Sequence, residues 1–339
     1  MTSHAHRSTS GTTTSSTDIA VDMSVVIPVY GGERTIGTLT EGLLAMFDQQ
    51  GIAGEVILVC DRPRDGSWAV VRQLHERHDR VTAVHLQRNF GQHPATLAGL
   101  RMCRGTWVAT MDEDLQHSPL DIPVLWEQAR TIDGIAYGRF TEPQHGLWRN
   151  LTSRLAKWVL ATYIGGNVAA NASAFRVFPA RLRDSFAHYS GERVAIDVLL
   201  SWSGAPVTTV PCQHAPRADG HSGYTLRKLL AYLADLLVGY STLPLRFASF
   251  LGLASVALAL LIGAYVLLNW LRYGSAVPGF AFLAISTSVL SGAQLLALGI
   301  IGEYLGRLYF NNLGKPQYVI HERLNARSHQ TPPRVGDGD

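Results

Sequence analysis

The chain has 339 residues, 47% of them hydrophobic, and a net charge of only +3 at neutral pH. That length allows one sizeable core with attachments, and so small a charge excludes nucleic acid as an expected partner. Three cysteines, Cys60, Cys103 and Cys212, lie far apart with no CxxC spacing, which argues against a zinc or disulfide framework and suits a reducing cytosol.

Residues 1–22 are dominated by Ser and Thr with a few His. Such a stretch buries too little apolar surface to offset its ordering entropy, so a disordered tail is expected. It has no apolar h-region and does not read as a signal peptide. Met23–Tyr30 (MSVVIPVY) is a β-branched run that ends on a proline loop, a strand by pattern. Thr35–Gln50 has helical spacing, Glu55–Cys60 reads as a second buried strand, and Ser67–His78 as a second helix. Val81–Leu86 and Trp107–Met111 are further strands, with a helical stretch around Pro94–Arg101 between them. This alternation predicts an α/β domain built on an open, mostly parallel sheet with flanking helices. Ligands of such sheets bind beyond the carboxyl ends of the strands. Beyond that point a strand is expected at Gly134–Gly138, a helix at Leu147–Ile164 and a strand at Val207–Pro211.

Leu226, Leu229, Leu230, Leu233, Leu237 and Tyr240 fall on one helical face, with Arg227 and Lys228 off it. An amphipathic interface helix is expected there. Phe247–Leu271 carries no charged residue and is long enough to cross a bilayer, and a second span fits Phe280–Ile301, after the break at Pro278-Gly279. Arg227, Lys228 and Arg246 precede this two-helix transmembrane hairpin, and Arg307, Lys315, Arg323 and Arg327 follow it, whereas the connecting loop has only Arg272. The positive-inside rule then places both ends in the cytoplasm. The expected organisation is a tail over 1–22, a catalytic domain over 23–225, an interface region over 226–245, a hairpin over 246–308 and a cytoplasmic C-terminal tail over 309–339.

Candidate chemistry gathers at the expected strand ends. Asp112 and Asp114, in the run Asp112-Glu113-Asp114-Leu115-Gln116, follow the strand Trp107–Met111. Carboxylates at i and i+2 can converge on one hard cation that also holds phosphate oxygens. Pro28, Tyr30 and Glu33 stand at the first strand end and Asp61 at the second, where Tyr30 could stack on a base and Asp61 accept from a base N–H. Arg88-Asn89-Phe90-Gly91-Gln92-His93 stands at the third, with a glycine that permits a tight loop beside a ligand. Arg139, Arg149, Arg154, Arg176 and Arg217 form a dispersed basic set suited to phosphate groups. The Gly-containing segment around Arg217 and Ser222 precedes the amphipathic helix, so it is expected to hold a phosphate at headgroup depth. His117, His145, His188, His214 and His221 lack metal-ligand spacing.

Taken together, VVIPVYGGE, RNFGQHPATLAGL, MDEDLQHSPLDIP, LWRNLTSRLA, HAPRADGHSGYTLRKL and STLPLR resemble the family-2 glycosyltransferases of GT-A nucleotide-sugar transferase fold. The nearest branch is that of the polyprenyl-phosphate (dolichyl- or undecaprenyl-phosphate) sugar transferases. The resemblance implies an inverting enzyme that moves a sugar from a nucleotide-diphosphate donor to a polyprenyl phosphate in the bacterial inner membrane, for cell-envelope glycans. It implies Mg2+ or Mn2+ on Asp112, Asp114 and Gln116, and a membrane-embedded homo-oligomer. Asn89, Asp112 and Arg139 then serve the donor, and Arg149, Ser153, Arg217 and Ser222 the diphosphate or acceptor phosphate. Two departures stand out. Where the family often has Asp-Asp-Gly-Ser this chain has Cys60-Asp61-Arg62-Pro63, and where it often has Asp-Phe-Arg this chain has Ala174-Phe175-Arg176. Either no carboxylate acts at that second place or Asp197 substitutes for it, beside Asp114 and Arg217 as catalytic groups. Competing readings are a transferase to another membrane acceptor, such as a diacylglycerol or a growing polysaccharide, and a degenerate nucleotide-sugar-binding scaffold.

Overall fold

The apolar runs lie side by side in one sheet in the computed structural model of the protein, which describes residues 20–140, 173–191, 194–212, 243–274 and 279–326. Strand β1 (Met23–Val29), helix α1 (Ile36–Gln50), β2 (Gly54–Cys60), α2 (Ser67–Arg77), β3 (Val81–Leu86), α3 (Gln92–Leu100) and β4 (Trp107–Thr110) alternate as expected. Then come α4 (Ile122–Ile132), β5 (Ile135–Phe140), β6 (Arg176–Pro179), α5 (Ala180–Asp184), α6 (Ile196–Ser201) and β7 (Val207–Cys212). The sheet order is β7-β5-β6-β4-β1-β2-β3-β8. Here β8 is Ile320–Leu324, which pairs antiparallel with β3. β1 pairs parallel with both β2 and β4, and β2 with β3. Strand β6 runs against both β4 and β5, so β5 again points the same way as β4.

The two faces of the sheet are buried by different helices. Leu39, Leu43 and Phe47 of α1, Val71 and Leu74 of α2 and Leu125 of α4 pack on one side against Val25, Ile27 and Val56. Leu97 and Leu100 of α3 with Leu199 and Leu200 of α6 pack on the other, against Val26, Ile57 and Phe178. Because both sides are covered, β1 and β2 are near-continuous apolar runs rather than alternating ones. The chain moves outward from β1 to β2 and β3, then returns across α3 to β4 on the other flank of β1. A crevice therefore opens between the carboxyl ends of β1 and β4, the topological switch point.

Helices α7 (Leu243–Tyr273) and α8 (Gly279–Asn312) form the hairpin and pack against each other. They are longer than the expected spans. At 31 and 34 residues they exceed the ~20 residues that cross a hydrocarbon core, so their ends project beyond it. The apolar windows Leu245–Tyr273 and Val289–Gly306 have mean hydropathy 2.4 and 1.4 and none of either is buried in the protein. Leu253, Leu260 and Leu295 stand exposed. These are two helices long and apolar enough to cross a bilayer, and not core helices of the globular domain. The expected helices at Leu147–Ile164 and Leu226–Tyr240 lie outside the described residues.

The segment 309–339, expected to be a tail, supplies β8 instead. Its sequence, IHERL, is short and charged, the composition of a guarded sheet edge, and for that reason it has no apolar signature. Since β8 belongs to the same sheet as β1–β7, the exit of the hairpin lies on the same side of any membrane as the catalytic sheet.

At the amino ends of the strands, the buried Glu55 accepts from Ser24 Oγ at 2.6 Å, from Arg104 N at 2.7 Å and from Arg104 Nε at 2.8 Å. Ser24 Oγ in turn accepts from Gly105 N at 2.8 Å. Glu55→Ala leaves these donors without their acceptor, at a cost of about 2 kcal/mol. Thermal unfolding of the detergent-solubilised chain should show a midpoint lower by roughly 5 °C. An unchanged midpoint would remove this network from the account of stability.

Candidate active site

Four loops meet at the carboxyl edge of the sheet, and hydrogen bonds knit them together. The central contact crosses the β1/β4 crevice. The carboxylate of Glu113, in the loop after β4, accepts from the backbone N–H of Tyr30 at 3.1 Å and of Gly31 at 3.0 Å, in the loop after β1. A Cβ on Gly32 would sit 2.3 Å from Glu113 Oε2, so only glycine lets the carboxylate lie so close. Burial raises the Glu113 pKa, and the two amides oppose that rise.

Within the same loop, Leu115 adopts a left-handed φ of 61°, which is uncommon for a residue with a side chain. The bend turns Gln116 N back to donate to Asp114 Oδ1 at 3.2 Å. Asp112 Oδ1 accepts from Gln92 Nε2, at the start of α3, at 2.6 Å. Asp112 N donates to His117 Nδ1 at 3.3 Å, and that imidazole is buried and stacked on Phe175, with centroids 4.9 Å apart. His117 thus braces the acidic loop from beneath.

The β1 and β2 loops are tied by an exchange. Gly66 N donates to Glu33 Oε2 at 2.9 Å, and Glu33 N donates to Asp65 Oδ2 at 3.3 Å. Glu33 therefore organises loops rather than projecting as a lone ligand. Asp61 behaves similarly. It is buried, and its Oδ1 and Oδ2 accept from Phe90 N and Gly91 N, both at 2.7 Å. Desolvation raises its pKa against the pull of these amides and of Arg88. Gly91 has φ 99°, a conformation that glycine accepts readily. The expected acceptance from a base N–H thus falls on a carboxylate already holding the Arg88–Gly91 loop. Tyr30 is 44% exposed at the β1 end and Asn89 is exposed in the β3 loop. Pro28 pairs with Val59 within the sheet, and Arg139, near the end of β5, is exposed on the same edge as the acidic loop.

Asp197, expected among the catalytic groups, lies in a hydrogen-bonded network with Arg176 and Tyr137. Its Oδ1 is bound by Arg176 Nη1 and accepts from the Tyr137 hydroxyl at 2.9 Å. Arg176 Nε donates to Thr110 Oγ1 at 2.9 Å, and that hydroxyl donates to the Ala174 carbonyl at 2.6 Å. Arg176 is buried, and a buried guanidinium requires such a partner. Asp197 thus anchors a relay that ties Arg176, next to Ala174-Phe175, to β4. Arg149, Ser153, Arg217 and Ser222 lie outside the described residues.

Among the described residues no three His, Cys, Asp or Glu side chains are grouped to hold a metal ion. The oxygen donors of Asp112, Asp114 and Gln116 fit a different type of site, in which a hard divalent cation takes one or two carboxylates and completes its shell with substrate phosphates and water. Sequence reading missed the roles of Glu113, Gln92 and β8. The first two lay inside quoted motifs, but their partners are distant in the chain.

The chain is similar to several known proteins. The family described as Glycosyl transferase family 2 matches residues 24–189. The undecaprenyl-phosphate 4-deoxy-4-formamido-L-arabinose transferase of Pseudomonas aeruginosa (strain UCBPP-PA14) is 32% identical over 321 residues, covering 93% of this chain and 94% of that protein. The enzyme of the same name from Edwardsiella ictaluri (strain 93-146) is 31% identical over 307 residues, covering 90% and 94%. Among solved structures, the glucosyl-3-phosphoglycerate synthase of Mycobacterium tuberculosis, in complex with Mn2+, UDP-glucose and glycerol 3-phosphate, aligns with TM-score 0.48 and 18% identity. That alignment covers 64% of this chain and 78% of the other. On the likeness to the two undecaprenyl-phosphate transferases along nearly their whole length, together with the family match, the chain is a glycosyltransferase and belongs to glycosyl transferase family 2.

Proposed function

We propose that the protein transfers a sugar, with inversion, from a nucleotide-diphosphate donor to a polyprenyl phosphate at the membrane surface. The observation that carries this reading is the end-to-end likeness, hairpin included, to transferases named for undecaprenyl phosphate. The two apolar helices give the chain a means of staying where such a lipid lies. Tyr30, Pro28 and the Asp61-ordered loop with Asn89 receive the nucleoside, and Arg139 the diphosphate. Asp112, Asp114 and Gln116 would hold Mg2+ or Mn2+. When bound, such an ion neutralises charge developing on the departing diphosphate.

No protein base is needed. A phosphate monoester has a second pKa of about 6, so the acceptor is already anionic at neutral pH. One of its oxygens forms a bond to the anomeric carbon as the bond from that carbon to the diphosphate oxygen breaks, and the electron pair stays with the nucleoside diphosphate. What the protein contributes is positioning of two anions and electrostatic stabilisation. Ala174, where the family resemblance leads one to expect an acid, is therefore compatible with activity. Arg149, Ser153, Arg217 and Ser222 are proposed to grip the acceptor phosphate, the arginines by their forked donors.

Orientation belongs to the same proposal. The catalytic domain and both ends of the hairpin face the cytoplasm of a bacterial inner membrane, as the basic residues flanking it require.

Transfer of radiolabelled sugar from a panel of UDP- and GDP-sugars to undecaprenyl phosphate tests the reaction. Product should form with Mg2+ or Mn2+ and disappear in EDTA. Asp114→Asn should lower turnover at least ~100-fold, on the order of one lost electrostatic stabiliser, with an unchanged unfolding midpoint. Full activity of that variant, or in EDTA, would sink the metal role; absence of any lipid product would sink the acceptor.

Topology is tested separately with a thiol probe. The native cysteines are buried, and desolvation pushes the thiols of Cys103 and Cys212 up to about 12 and about 11, so they react weakly. Ser275→Cys, in the hairpin connection, should be labelled by an impermeant maleimide from the periplasmic side. Labelling from the cytoplasmic side alone would reverse the orientation.

A further inference from the structure

The C-terminal strand does more than cover a sheet edge. It reaches the donor side of the site through Gln87, the residue immediately before the Arg88–Gly91 loop. Gln87 N donates to Val319 O at 2.8 Å, in the residue preceding β8. Gln87 Oε1 lies 2.8 Å from His321 Nδ1; an amide oxygen can only accept, so Nδ1 carries the proton. The β3/β8 register shifts between His85 and Leu86, and His321 sits at that irregularity. The loop is therefore held at both ends: by β8 at Gln87 and by Asp61 at Phe90 and Gly91.

The same imidazole joins a ring stack that ends at the start of α2. His321 meets His85 edge to face at 5.5 Å, and His85 stacks on Trp68 at 4.7 Å with 21° between planes. Trp68 lies in the first turn of α2, directly after the Asp61–Gly66 loop. Around this contact β8 is fastened on several sides. Glu322 pairs with Arg72 of α2 at 2.8 Å, Ala326 N donates to Thr82 Oγ1 at 3.1 Å, and Arg101 Nη1 donates to the Tyr318 hydroxyl at 3.2 Å. An edge guard needs charge and shortness only. It does not need a histidine joined by hydrogen bond to Gln87 at the edge of the Arg88–Gly91 loop and by ring contact to His85 of β3.

We propose that His321 is a positioning residue for the donor site, which sets the Arg88–Gly91 loop through Gln87. The proposal rests on the reading of that loop as donor-binding. It means that the segment following the membrane hairpin contributes to a site otherwise built from residues 28–139. The exit of the second membrane helix and the donor pocket are thereby joined within about ten residues, as the numbering from Asn312 to Ile320 shows.

The test uses full-length protein in detergent, the nucleotide-sugar selected from the UDP- and GDP-sugar panel, and undecaprenyl phosphate. His321→Phe keeps a ring against His85 but cannot donate. It should raise the donor KM roughly fivefold, the size of one net hydrogen bond, with kcat and acceptor KM within about twofold. His321→Asn, whose amide can donate from nearly the place of Nδ1, should restore the donor KM. Gln87→Ala should match His321→Phe, and the double variant should be no worse than either, because both remove one interaction. A wild-type donor KM in His321→Phe and Gln87→Ala would overturn the proposal. So would a lowered unfolding midpoint with donor and acceptor KM rising together, which is the signature of a purely structural role. If the wild-type chain transfers no sugar and UDP or GDP with Mg2+ does not raise its unfolding midpoint, the donor-site reading itself falls, and this inference falls with it.

Discussion

The site depends on one contact, the clasp of Glu113 on the Tyr30 and Gly31 amides across the crevice between β1 and β4. Connectivity alone opens that crevice, because the chain leaves β1 on both sides. An open crevice would leave the β1 loop and the acidic loop independent of each other. The clasp makes them one body, and it does so with the residue between the two aspartates. Asp112 and Asp114 thus take their direction from a carboxylate that faces inward. The close approach is conditional on Gly32, whose missing side chain leaves the room that Glu113 fills.

The two ends of the sheet divide the work. At the amino ends, Glu55 is a buried acceptor saturated by Ser24 and Arg104, and its effect is on stability. At the carboxyl ends, Glu33, Asp61 and Glu113 each accept from backbone amides of a neighbouring loop. Acidic side chains there act as internal splints for segments with little regular structure of their own. The splints hold exposed groups such as Tyr30 and Asn89 on a fixed frame, and a preorganised frame reduces the entropy lost on binding. Behind it, the Asp197–Arg176–Thr110 relay reaches the backbone at Ala174 through the Thr110 hydroxyl.

Most of the fold was legible because its signals are local. Apolar runs at β1, β2 and β3 and helical spacing at α1 and α2 depend on neighbours in sequence, and their bounds differ from the structure by a residue or two. The hairpin was legible for the same reason, since length and absence of charge suffice. Partnership was not legible. Glu113 reads as a spacer in Asp112-Glu113-Asp114, and only the β1/β4 adjacency reveals its amides, 82 residues away. Asp197 reads as an available acid until β6 brings Arg176 beside it. β8 reads as a polar tail, because an exposed edge strand needs no apolar residues and its partner β3 lies more than 200 residues earlier.

In the proposed reaction, the loops clasped by Glu113 form the seat of a nucleoside diphosphate beside a divalent cation. The most direct test is an experimental structure of the full chain with UDP or GDP and Mn2+. Anomalous scattering is expected from one Mn2+ between Asp112 and Asp114, with the diphosphate on it and the base against Tyr30 and the Asp61-ordered loop. A nucleotide bound away from the β1/β4 crevice, or a metal held without Asp112 and Asp114, would contradict it.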